Sequence, residues 1–371
     1  MKRGVSLYSY QQSQFFKEST LESQLEEVAN NLDGATGIEL IDEMSLQYPV
    51  PDPQFMKKWY GLIEQHNLTP VAMDVSMDVL QFRDHVMSYD ECAERLRHDI
   101  TLAKMLGFSN VRVLSIVPLE VLIKALPLAE ALDIRLGKEV HQPMSLEGRY
   151  VSEIVEFAEK HNTEHLGIVP DFGIFGTRPS EAILDGFIRR GAAPESAEAS
   201  VALSGMIKSG NAPFKMVDVE NHTAGNVRSS FTRYINTGEC IDDFKSAFAV
   251  IKELAEKYVK NPTDLDYSVV AEGIMLSNTS AKTLGELAKH VTHIHAKFNN
   301  MTEIPGKPGQ YQDIAIDYEN PIRELKKAGY TGYLNTEYEG QRYFQDRFKD
   351  SMMDEFEQVR RHQEMMKRLI G

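Results

Sequence analysis

Short apolar runs alternate along the chain with longer stretches in which apolar residues recur at helical spacing. The runs are Arg3–Tyr8, Gly37–Asp42, Thr69–Asp74, Asn110–Val117, Ile134–His141, Gly167–Asp171, Val291–Phe298 and Tyr333–Tyr338. Strand-like runs separated by helical patterns are the signature of repeated βα units, whose strands pair in parallel. Eight such units predict an α/β fold closed into a TIM (β/α)8 barrel.

The helical stretches carry their own start and stop signals. Ser19 with Glu22 predicts a capping box ahead of the stripe Leu21, Leu25, Val28 and Leu32, and Ser88 with Glu91 repeats it. Asn320 and Pro321 predict a helix start that Gly329 ends. Met352, Phe356, Val359 and Met366 predict one face of a last, C-terminal helix packed on the barrel.

One connection is out of proportion. The sixth run begins at Gly167 but the seventh only at Val291, so a single barrel domain over residues 1–371 has to carry an insertion at about 176–288. It opens with a helix at Ser180 to Arg190, includes the polar, Gly- and Asn-containing stretch Gly210 to Cys240, and continues through a helix around Asp242 to Tyr258. In a barrel such a connection hangs over the mouth, where it serves as a lid, a subunit interface or a passive surface excursion.

Length and charge narrow the classes. With 371 residues the chain can bury a large core. Lys and Arg number 40 against 55 Asp and Glu, a net charge of −15 with no basic run, which argues against a nucleic-acid partner. Cys92 and Cys240, the only cysteines, give neither a disulfide framework nor a thiolate metal site. The opening MKRGVSLYSY lacks the apolar stretch of a signal peptide, and no run approaches the roughly 18 apolar residues of a membrane span, so a cytoplasmic protein without membrane contact is expected.

The candidate chemistry sits at strand ends. Glu139, Asp171, His295 and Glu337 close the fifth to eighth runs. Alternate side chains of a strand share a face, so Glu139 stands with His141, His293 with His295 and Lys297, and Glu337 with Glu339. A parallel barrel keeps its chemistry at the C-terminal strand ends, where these groups converge. Three carboxylates and one imidazole suit a divalent ion such as Mn²⁺, Mg²⁺ or Co²⁺; the plainer alternative is four unconnected polar residues. His141 is the candidate general acid or base, the alternative being a loop histidine with no role, and Lys297 either stabilises an oxyanion or pairs with an acid. His293 is expected to fill the barrel or hold a ligand in place, and Glu339 to face solvent or to hydrogen-bond a substrate hydroxyl or His141, solvent being expected first.

The strands GVSLYSY, GIELID, EVH, VPDFG, HIHAKF and YLNTEYEG, with the ending IRELKKAGYTGYLNTE, resemble the xylose isomerase-like barrel superfamily of sugar isomerases, epimerases and AP endonucleases. The resemblance spans nearly the whole chain. It implies a divalent metal, most often Mn²⁺, held by Glu139, Asp171, His295 and Glu337. Within the superfamily, EVH, HIHAKF and the long sixth connection are similar to the α subunit of C-glycoside deglycosidases. That similarity implies a 3-oxo-glycoside substrate, a lyase that eliminates an aromatic aglycone, His141 as the acid/base residue, and assembly with a small β subunit into a higher oligomer. A sugar isomerase or epimerase using the same metal and base, and a non-catalytic sugar-binding barrel, are the alternatives. Many epimerases place a histidine soon after the strand-six Asp; here Phe172, Gly173, Ile174 and Phe175 follow Asp171, an apolar wall suited to an aromatic group. The AP endonuclease branch needs more zinc ligands and a DNA-binding face, which the acidic balance disfavours.

Overall fold

The computed structural model describes residues 1–41, 44, 46, 52–345 and 353–371. Eight strands form its sheet: β1 (Lys2–Ser6), β2 (Ala35–Ile41), β3 (Thr69–Val75), β4 (Asn110–Val113), β5 (Arg135–Val140), β6 (Leu166–Pro170), β7 (Ile294–Phe298) and β8 (Tyr333–Tyr338). They pair in parallel in the order β6-β5-β4-β3-β2-β1-β8-β7. Parallel bridges Ile168 to Val291 and Asp171 to His295 join the two outer members, and the sheet closes into the expected barrel. Gly167 permits that closure, because a Cβ there would lie 2.2 Å from the His290 carbonyl oxygen.

The strand ends differ from the apolar runs where the chain turns away from the barrel wall. β1 stops at Ser6 because Leu7–Tyr10 winds into a 3₁₀ turn, and β4 stops at Val113, releasing Leu114 to Val117 into the loop above it. Asp42, the end of the second run, lies outside the described residues.

The first long helix, Leu21–Asn31, is capped by Thr20 with Ser23 rather than by Ser19 with Glu22. Ser19 is buried instead, with its hydroxyl 2.9 Å from Ser13 Oγ and accepting from Gln24 Nε2 at 3.1 Å, so tertiary contact has taken the side chain that local pattern assigned to the cap. Ser88 and Glu91 do form the predicted box ahead of Tyr89–Met105. Helix Glu319–Lys327 begins one residue before Asn320, and Gly329 follows it at φ +72°. The C-terminal helix, Glu355–Ile370, buries Val359 and Met366 and stacks Phe356 on Tyr10 at 4.8 Å; Met352 lies outside the described residues.

The connection between β6 and β7 is helical through most of its length. Glu181–Arg189 and Asp242–Tyr258 match the expected helices, and the polar stretch Gly210 to Cys240 itself holds Met216–Glu220 and Ala224–Thr237. Val227, Phe231 and Tyr234 recur there at helical spacing and pack with Phe244, Phe248 and Ile251 into a hydrophobic cluster of their own. An Arg228–Glu272 ion pair at 2.9 Å ties that region together. Among the described residues no helix is long and apolar enough to cross a membrane, and Cys92 and Cys240 are both free.

Candidate active site

The C-terminal ends of seven strands bring charged side chains to one end of the barrel. Glu39 comes from β2, Asp74 from β3, Arg112 from β4, Glu139 from β5, Asp171 from the residue after β6, His293, His295 and Lys297 from the seventh strand segment, and Glu337 and Glu339 from β8 and the residue after it. All of them are buried. The register sets Lys297 beside Glu337 and Asp171 beside His295. A cavity of about 290 Å³ opens above them, with Asp74, Arg112, Glu139, His141 and Glu337 in its wall. Thr223, Ala224 and Gly225 of the insertion also line it, so the connection after β6 reaches over the mouth.

His295 stands at the centre of the cluster. Its Nδ1 lies 3.2 Å from Glu337 Oε2 and 3.6 Å from Glu139 Oε1, while its Nε2 lies 3.1 Å from Glu39 Oε1 and 3.8 Å from Asp74 Oδ1. His293 Nε2, one layer deeper, is 3.0 Å from Glu39 Oε2. Arg112 joins the carboxylates on the other side: its Nη2 donates to Glu139 Oε1 at 3.0 Å and lies 3.7 Å from Glu337 Oε1, with Nε 3.8 Å from Asp74 Oδ1.

Lys297 organises a second group. Its Nζ is 2.5 Å from Glu339 Oε2, 3.3 Å from Asp171 Oδ2 and 2.7 Å from His141 Nε2. Arg342 closes the rim with Nη2 3.0 Å from Glu339 Oε1. The expectation that Glu339 faces solvent is therefore corrected: it is buried, because two cations draw it inward. His141 is half-buried, and its Nδ1 lies 2.7 Å from the Gln142 carbonyl oxygen. A carbonyl only accepts and an ammonium only donates, so Nδ1 donates to Gln142 and Nε2 accepts from Lys297.

Burial and charge pull the titrations in opposite directions. Burial would raise Glu39 and Glu139, but the histidines beside Glu39 and Arg112 beside Glu139 outweigh it and hold both well below the usual carboxylate range. Burial wins at Asp74 and Asp171 and raises both, against Arg112 and Lys297 respectively. At Glu339 burial loses to Lys297 and Arg342, and the carboxyl is held down at about 2. Burial opposes the charged forms of Lys297 and His295, yet Asp171 and Glu339 raise the first, and Glu337 and Glu39 raise the second well above its ordinary value.

These donors fit a divalent cation. Six buried carboxylates face two buried cations, Arg112 and Lys297, and several donor atoms make no hydrogen bond: Asp171 Oδ2, Glu337 Oε2, both ring nitrogens of His295, and both oxygens of Asp74. Glu39, Asp74, His293 and His295 present one ligand atom each within 4.8 Å of one another, a group that could hold a metal ion. Of the four residues expected as ligands, His295, Glu139 and Glu337 meet directly, and Asp171 stands beside them, its carboxyl feeling the charges of Glu337 and Glu139. Three members of the cluster, Glu39, Asp74 and Arg112, escaped the sequence reading. Their signal was a charged residue inside an apolar strand, in GIELI, AMDV and VRV, which alternation alone assigns to neither core nor site.

The apolar wall is not where Phe172 and Phe175 suggested. Both are buried and absent from the cavity lining, in edge-to-face contact with each other at 5.3 Å, with Phe172 packed on Tyr318. Gly173 N donates to Asp171 Oδ1 at 2.6 Å and folds this segment back as a 3₁₀ turn, which turns the rings into the core. Ile41, Val75, Leu114 and Ile116 form the apolar side of the cavity instead.

No protein-family model matches the chain. It is 26% identical over 371 residues to the 3'-dehydrocarminate deglycosidase α subunit of a Microbacterium species, covering 99% of this chain and 95% of that one. It is 26% identical over 342 residues to a C-glycoside deglycosidase α subunit of Arthrobacter globiformis, covering 91% and 84%. Among solved structures, L-ribulose 3-epimerase superposes with a TM-score of 0.52 at 11% identity, covering all of this chain and 95% of that one, a likeness of fold. The chain is an enzyme with a (β/α)8 barrel, similar along nearly its whole length to the α subunits of C-glycoside deglycosidases.

Proposed function

We propose that this chain is a divalent-metal-dependent, carbohydrate-active lyase that cleaves the bond between C1 of a 3-oxo-glycoside and its aromatic aglycone. The observation that carries the reading is His141: it lines the cavity, its Nδ1 donates to the Gln142 carbonyl, and its Nε2 accepts from Lys297. The relatives named as deglycosidases supply the substrate class.

A carbonyl at C3 makes the C2 hydrogen acidic. His141 Nε2 takes that proton, and the electron pair of the C2–H bond passes into an enolate on the C3 oxygen. Lys297, held protonated by Asp171 and Glu339, donates to that oxygen as its charge grows. When the enolate collapses, a C1–C2 double bond forms and the C1–aglycone bond breaks. The aglycone leaves with that electron pair and takes up a proton, which imidazolium His141 supplies. The products are the 1,2-unsaturated 3-oxo sugar and the protonated aglycone. A divalent cation, Mn²⁺ by donor type, held by Glu139, Asp171, His295 and Glu337, supplies Lewis-acid polarisation of the sugar's oxygen groups when bound. Ile41, Leu114 and Ile116 give the aromatic aglycone an apolar side, opposite the charged floor. The relatives' designation as α subunits supports a β-subunit partner for this chain as well.

The test is turnover of a 3-oxo aryl C-glycoside with Mn²⁺, with and without a candidate β subunit, following free aglycone by chromatography. Aglycone release supports the lyase. Epimerised or isomerised free ketose without cleavage would replace it with a sugar isomerase.

A further inference from the structure

We infer that Glu39 is the positioning residue of this site: it holds His295 in the tautomer that carries its proton on Nε2, so that a cation binds on the Nδ1 side of the ring. The inference rests on the proposed metal dependence and adds which side of His295 the metal takes.

The two sides of the ring are built differently. On the Nε2 side, Glu39 is fully buried and already shared: Oε1 lies 3.1 Å from His295 Nε2, and Oε2 accepts from Asn335 Nδ2 at 2.8 Å and lies 3.0 Å from His293 Nε2. Three nitrogen donors surround this one carboxylate. Asn335 can take that position because Gly4 faces it, where a Cβ would fall 2.2 Å from Asn335 Oδ1. Asn335 fixes this carboxylate through Oε2, and Oε1 makes no hydrogen bond elsewhere and is the carboxylate oxygen nearest Nε2, so it is placed to accept Nε2–H and orient the ring, in the manner of carboxylates that stand behind metal-binding histidines.

On the Nδ1 side the acids stand at the cavity: Glu139 and Glu337 line it, and Glu39 and His293 do not. Glu337 Oε2 faces Nδ1 at 3.2 Å and accepts no hydrogen bond, and Asp171 Oδ2 nearby accepts none either. With the proton on Nε2, Nδ1 offers its lone pair to the same space. The Glu39, Asp74, His293 and His295 group is then the support behind the site, and the cation belongs with Glu139, Asp171 and Glu337.

The test is Mn²⁺ binding to the full chain by calorimetry, with electron spin-echo spectroscopy of the bound Mn²⁺ to count coupled histidines. The expected result is one coupled histidine nitrogen in the wild type, unchanged in His293→Gln. Glu39→Ala should weaken Mn²⁺ binding by roughly 10- to 100-fold, and Glu39→Gln, whose amide oxygen still accepts from Nε2–H, should recover much of that loss. Two coupled histidines, or loss of one in His293→Gln, would overturn the inference and put the metal among Glu39, Asp74 and His293 while leaving metal dependence intact. No Mn²⁺ bound by the wild type would overturn both. Should the Glu39 variants fail to fold, the histidine count in the wild type and His293→Gln decides alone.

Discussion

Lys297 Nζ lies 2.7 Å from His141 Nε2, inside ion-pair reach of Asp171 and Glu339 as well. The same ammonium therefore neutralises two buried acids and faces the nitrogen proposed to accept the substrate's proton. Replacing it tests both roles. Lys297→Met leaves the Asp171 and Glu339 carboxylates uncompensated in a buried site and should cost about 3–5 kcal/mol of stability. Lys297→Met combined with Glu339→Gln should recover part of it, with a coupling of about 0.5–3 kcal/mol in denaturant unfolding. Additive losses would show that the pair is not coupled.

Metal removal should destabilise the chain. A cation bound only by the folded state adds stability by mass action, about 2.7 kcal/mol at a free concentration one hundred times its Kd. Thermal unfolding in excess chelator and in Mn²⁺ reads this directly. The melting point should rise with Mn²⁺ and return on chelation, and the rise should disappear in Glu337→Gln.

The insertion can be probed without deleting it. Val219, Val227 and Phe231 of the stretch Gly210 to Cys240 are buried in its hydrophobic cluster, so removing the stretch would open a core rather than test a lid. Gly225 is exposed, lines the cavity, and a Cβ there would meet only Thr223 Oγ1 at 4.0 Å. Gly225→Trp should leave the melting point nearly unchanged and fill the mouth, raising KM at least about tenfold, on the order of the 1.4 kcal/mol that such a factor represents. Unaltered kinetics would remove the insertion from the substrate's path.

A pH-dependent term in stability comes from His362. It is fully buried, 2.9 Å from Thr336 Oγ1 and 2.9 Å from the Tyr318 hydroxyl, stacked on Phe298 at 4.4 Å; burial pushes it down to about 3. A folded value below the unfolded one near 6.5 means that its contribution is fully present above pH 6.5 and is lost as pH falls toward 3. His362→Phe removes that loss. The stability difference between wild type and variant, from urea unfolding, should shift in the variant's favour by as much as about 3 kcal/mol between pH 6.5 and pH 4.5. A constant difference would mean that His362 does not stay neutral.

Much of the barrel could be read from the sequence because each βα unit carries its own local signals. β8 matches its apolar run end for end, and the Ser88–Glu91 box is local chemistry that tertiary contacts leave alone. What local pattern missed was decided by contacts far apart in sequence. Ser19 was drawn into the core by Ser13 and Gln24, Glu339 was drawn inward by Lys297 and Arg342, and Phe172 and Phe175 were turned into the core by the Asp171–Gly173 bond. Glu39, Asp74 and Arg112 matter for a related reason. A charge inside a strand reads as a blemish in the pattern until the closed barrel shows six carboxylates meeting there.

The central claim is that His141 Nε2 removes the proton from C2 of a 3-oxo-glycoside. The most direct measurement is deuterium exchange at C2, with the Mn²⁺-loaded enzyme and a 3-oxo aryl C-glycoside in D₂O, comparing wild type with His141→Ala by mass spectrometry. Wild type should exchange or eliminate the C2 hydrogen, and His141→Ala should slow this by about 10²- to 10⁴-fold while still binding Mn²⁺ and the glycoside. C2 exchange at the wild-type rate in His141→Ala would contradict the account and move the base to another residue.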